Sequence, residues 1–135
     1  IQPGDVLLTR YDHYLSSVLT PGYWSHAGLY VGKDRVIHML GHGIENEDIL
    51  TFSRKDHIII LRCQDEKKVT NAIQKAYEFY QNGVDYDFDF KDFNKSYYCT
   101  EFVYECFGRD PLIKFSKWIL PDDLRCDLFP ERIIF

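Results

Sequence analysis

Tyr97-Tyr98-Cys99-Thr100-Glu101-Phe102-Val103-Tyr104-Glu105-Cys106-Phe107 reads as one helix with a cysteine in its first turn. Phe102, Val103, Cys106 and Phe107 fall three, four, seven and eight residues after Cys99, one buried stripe at the helical period. Ser96 is placed to cap this helix, its side-chain oxygen accepting from a free first-turn amide. The positive end of the helix dipole would then favour a thiolate at Cys99, as a nucleophilic cysteine needs. The same position suits a structural thiol equally well. Cysteine is among the most buried residue types, and Cys99 shares its side with the core residues of the helix.

Around that helix, the composition describes one compact domain. The chain has 135 residues, 45% hydrophobic and 27% charged, enough for a real core and unlike a disordered segment. Its 10 Tyr, 10 Phe and 2 Trp fit either a thick core or an aromatic-lined groove. A net charge of −5 with no basic run longer than a pair argues against a nucleic-acid partner. No apolar run approaches the roughly 18 residues of a transmembrane segment. The chain starts at Ile1 without a methionine, so removal of an upstream segment is expected. A signal peptide there would make the domain secreted or periplasmic. Cys63, Cys99, Cys106 and Cys126 contain no CxxC pair, so they read as mostly reduced core thiols. No cofactor is expected, and nothing in the sequence sets an oligomeric state.

Taken in order, Val6 to Thr9 is a strand after the turn Pro3-Gly4-Asp5, and Tyr11 to Leu19 carries a helical stripe. Trp24 to Gly32 and Arg35 to Leu40 form a hairpin, followed by a brief strand at Ile44 to Asn46. His57 to Cys63 is β-branched and reads as a central strand, and Glu66 to Asn82 as an amphipathic helix. Tyr86 to Phe90 is irregular, Leu112 to Leu120 a short helix, Pro121 to Arg125 a turn or helical cap, and Arg132 to Phe135 a closing edge strand.

The hairpin register decides whether chemistry is available. His26 and His38 share a face only if paired residue numbers sum to an even value. A three-residue loop at Gly32 to Asp34 achieves this, pairing Val31 with Arg35 and Gly28 with His38. A four-residue loop would separate the histidines. With the even register and the cysteine helix packed on the histidine face, Cys99 would be a nucleophile, His26 its base and His38 the group that orients the base. The Cys99 amide would help to hold an oxyanion. Each histidine alone would be an ordinary strand filler. The same three side chains are also a candidate zinc set, although no local ligand pair supports one.

The segments Gly4 to Leu8, Trp24 to Gly32, Val36-Ile37-His38 and Tyr98 to Val103 together resemble permuted NlpC-type papain-like proteins of the YiiX/YebB-like branch, which are bacterial. The aromatic-acidic stretch Tyr86 to Phe90 is similar to that branch as well. The resemblance implies an α+β fold over residues 1–135, with a small antiparallel sheet and the cysteine helix packed against it. It implies thiol-dependent hydrolysis or transfer at an amide, ester or thioester, with catalytic Cys99, His26 and His38, and substrate contacts from Tyr86, Tyr98 and Trp24. Several relatives of the YiiX type carry glutamate at the third position. His38 is instead similar to the lecithin–retinol acyltransferase-like branch. The expected substrate is therefore a cell-wall or other peptide amide, with a lipid acyl group or a small molecule as alternatives. From a different class, a non-catalytic binding module would keep the same fold.

Overall fold

The computed structural model describes residues 1–12, 22–82, 95–116 and 119–134. Six antiparallel strands form one sheet in the order β4-β3-β2-β1-β5-β6. They are β1 (Val6–Arg10), β2 (His26–Gly32), β3 (Arg35–Leu40), β4 (Gly43–Asp48), β5 (His57–Arg62) and β6 (Glu131–Ile134). Among the described residues, three helices accompany them: α1 (Ile49–Phe52), α2 (Glu66–Asn82) and α3 (Lys95–Cys106).

The alternation of each strand divides the apolar residues between two faces. Val6, Leu8, Ala27, Leu29, Ile37, Met39, Ile59 and Leu61 form the main core with Ala72, Ala76 and Phe79 of α2 and Cys99, Phe102 and Val103 of α3. Burying a ring such as Phe102 contributes about 2–3 kcal/mol. The opposite face carries a smaller cluster of Leu7, Tyr30, Val36, Ile60 and Phe52, the last supplied by α1. Asp48 caps α1 by accepting from the Thr51 amide at 2.9 Å.

The hairpin closes differently from the expected three-residue loop. Gly32 pairs with Arg35, and Lys33 and Asp34 make a two-residue turn with positive φ at both positions, the type I′ geometry. An unbroken ladder from that turn would have the odd register. A bulge at Val31 restores the even one, with Tyr30 opposite Val36 and Leu29 opposite Ile37. The histidines thus share a face because of the bulge rather than the loop.

Helix α2 has the expected bounds, and Pro121–Leu124 is a single 3-10 turn. Leu112 to Ser116 runs through turns and bends instead of the expected helix. Strand β4 is longer than expected because Glu45 and Glu47 pair with His38 and Val36 on the edge of the sheet, where solvated side chains are tolerated. The stripe at Tyr11 to Leu19 and the Tyr86 to Phe90 stretch fall, apart from Tyr11, outside the described residues.

Candidate active site

His26 and His38 meet on the Phe52 face of the sheet. Nε2 of His26 lies 2.8 Å from Nδ1 of His38, and the two rings are edge to face. The Phe52 ring lies against both, with centroid separations of 5.9 and 5.0 Å. Gly28 makes this packing possible, since a Cβ there would run into Phe52 and Val36. Behind His38, Glu47 brings Oε2 to 3.2 Å from Nε2. The carboxylate stands off the line of the ring N–H, so the contact is electrostatic rather than an aligned hydrogen bond.

These groups line a cavity of about 270 Å³ together with Tyr11 and Lys55. Lys55 Nζ donates to Tyr11 Oη at 3.0 Å and sits over the same ring. Burial, then the neighbouring His38, then the Lys55 charge lower the pKa of His26 to about 3. For His38, burial first and Lys55 second lower it to about 4, against an opposing pull from Glu45. Both rings are neutral at pH 7.

Cys99 approaches from the other side. The cysteine helix packs on the face of Ala27 and Leu29, not on the histidine face where the sequence reading put it. The connection runs through the strand backbone. Tyr30 donates its amide to Asp5 next to β1, so by alternation the Ala27 amide points toward β3. The β2–β3 ladder ends at Leu29–Ile37, leaving that amide open, and it donates to the Cys99 sulfur. The amides of Cys99 and Thr100 also lie close to the sulfur, although the helix ladder already engages them.

This is not a resting thiolate. Cys99 is fully buried, and burial pushes its pKa up to about 12 despite the amides nearby. Helix α3 begins at Lys95, so Ser96 lies inside it and Cys99 is one turn in, where the dipole field has faded. Thr100 anchors the same turn by donating to the Ile119 carbonyl at 2.7 Å.

The remaining sequence candidates are dispersed. Trp24 is buried in the main core, its backbone amide donating to Asp122 at 2.8 Å, and it does not line the histidine cavity. Tyr98 lies in α3 immediately before Cys99, and Tyr86 falls outside the described residues. All four cysteines are free thiols. Among the described residues, no three His, Cys, Asp or Glu side chains are grouped to hold a metal ion. None of the described helices is long and apolar enough to cross a membrane. Glu47, Lys55 and Phe52 escaped the sequence reading. The one available signal was the pair of glutamates two apart, which share a face on any strand beside β3.

The profile of a family described as permuted papain-like amidase enzymes, YaeF/YiiX, C92 family, matches residues 1–120. No curated protein and no solved structure matches the chain.

Proposed function

The chain belongs to the C92 family of permuted papain-like amidases, a cysteine peptidase and amidase family, and on that premise we propose that Cys99, His26 and His38 form its catalytic set. The observation that carries the reading is the 2.8 Å bond between the histidines, with the Cys99 sulfur on the amide of the residue after His26. The neutral thiol and neutral imidazole make this a general-base mechanism instead of a standing ion pair. The reaction requires the sulfur, which rests on the Ala27 face of β2, to reach the His26 side; it then attacks the substrate carbonyl as its proton passes to Nδ1 of His26. The amine leaves with that proton, and water then hydrolyses the thioester with His26 again as base. The Ala27 amide, which the β2–β3 ladder leaves open beside the sulfur, is the candidate oxyanion donor, whereas the Cys99 amide is engaged within α3. A peptide amide is the preferred substrate. A lipid acyl ester is the second reading, favoured by a histidine occupying the third position.

The test is acylation by p-nitrophenyl acetate followed by peptide mapping. Cys126 is the only one of the four cysteines that is not fully buried, so exposure alone would acetylate it first. Catalysis predicts a single acetyl group on Cys99, lost in His26→Ala. Labelling that follows exposure, or that survives His26→Ala unchanged, overturns the assignment. Comparing short peptide anilides with long-chain acyl esters then separates the two substrate readings.

A further inference from the structure

We propose that Glu47 is a positioning residue that sets the tautomers of both histidines, leaving Nδ1 of His26 free to accept a proton. The hydrogen bond between the rings needs one proton, which has two possible homes. If His26 donates from Nε2, His38 carries its own proton on Nε2, facing the Glu47 carboxylate at 3.2 Å. If His38 donates from Nδ1, its Nε2 lone pair faces that carboxylate instead, and the proton of His26 moves to Nδ1. The second arrangement sets lone pair against lone pair at a buried atom and removes the acceptor from His26. The first is attractive at both contacts.

The sheet specifies which glutamate does this. Glu45 lies directly across from His38, but His42 engages its carboxylate at 2.9 Å. Glu47, across from Val36 on the same face, is the one that reaches Nε2. His38 Nε2 has no aligned partner among the described residues, so the carboxylate has no competitor there. The low affinity of both rings for a second proton keeps the arrangement to one proton per ring. The influence passes from Glu47 through His38 to His26, which stays one ring away from the glutamate.

The consequence for catalysis rests on His26 being the base, but the tautomers themselves do not. Two-bond 1H–15N correlation spectra of 15N-histidine protein read them directly at pH 7. Wild type should show Nε2–H on both rings. In Glu47→Gln the carboxamide can present an N–H to His38 Nε2, so both rings should move toward Nδ1–H, and Cys99 acylation should fall by roughly tenfold or more. Glu47→Asp should retain the wild-type pattern in part. Nδ1–H on His26 in wild type, or unchanged tautomers in Glu47→Gln, overturns the proposal. A wild type with the stated tautomers but no acylation at Cys99 would sink the catalytic assignment and leave this one standing.

Discussion

Gly28 and Phe52 touch so closely that a Cβ on the glycine would stand 2.8 Å from Cζ of the ring and equally near Cγ1 of Val36. Phe52 in turn forms the wall behind both histidines. Gly28→Ala must therefore displace a fully buried ring. Overpacking of this kind costs about 1–3 kcal/mol. We expect that loss in urea denaturation, with slower Cys99 acylation as the histidine pair shifts. Unchanged stability would mean that the ring has room which this packing denies it.

The turn residues Lys33 and Asp34 both adopt left-handed φ, 52° and 59°. The backbone contacts at Asp34 do not need its side chain: its amide donates to Tyr30 Oη and its carbonyl accepts from Ile49. Replacing the pair by Lys33→Asn with Asp34→Gly supplies residues that accept the type I′ geometry, and should raise stability by up to about 1 kcal/mol. A lower denaturation midpoint would contradict the turn assignment.

Stability should fall on both sides of neutrality for identifiable reasons. His38 and His26 titrate lower in the folded chain than their ordinary 6.5, so the unfolded chain takes up protons first as the pH drops. Their contribution is complete above 6.5 and is lost as the pH falls toward 4 and then 3, up to roughly 8 kcal/mol in total. Cys99 titrates higher than its ordinary 9.0, so its contribution is complete below 9 and is lost as the pH rises toward 12. Urea unfolding across this range checks both limbs. His26→Gln/His38→Gln should flatten the slope between about pH 6.5 and 4.5, where the histidines supply it. An unchanged slope there would contradict the buried neutral pair.

Much of this arrangement is legible in the sequence because it is written in periodic patterns. Val69, Ile73, Ala76, Tyr77 and Tyr80 repeat at helical spacing, and α2 has the bounds they predict. Alternation in His26 to Val31 correctly separates Ala27 and Leu29 from His26 and Gly28. Alternation assigns residues to faces without saying what covers each face, so the helix was expected on the wrong one. The small Ala27, among larger apolar neighbours, was the available hint of where α3 comes close. The stripe of core residues already put Cys99 on a buried side, but helix position could not show that desolvation outweighs the dipole there. Glu45 falls in the brief strand expected at Ile44 to Asn46, but Glu47 lies beyond it because nothing apolar marks the rest of the edge strand.

The bulge at Val31 gives the hairpin a residue that it can lose. Deleting Val31 would join Tyr30 to Gly32 in an unbroken ladder from the two-residue turn, with Tyr30 still opposite Val36 and Leu29 still opposite Ile37, so His26 and His38 would keep one face. Descendants of this sequence can therefore shorten this connection by one residue without separating the histidines. Natural single-residue deletions in this hairpin should fall at Val31 wherever the pair is kept.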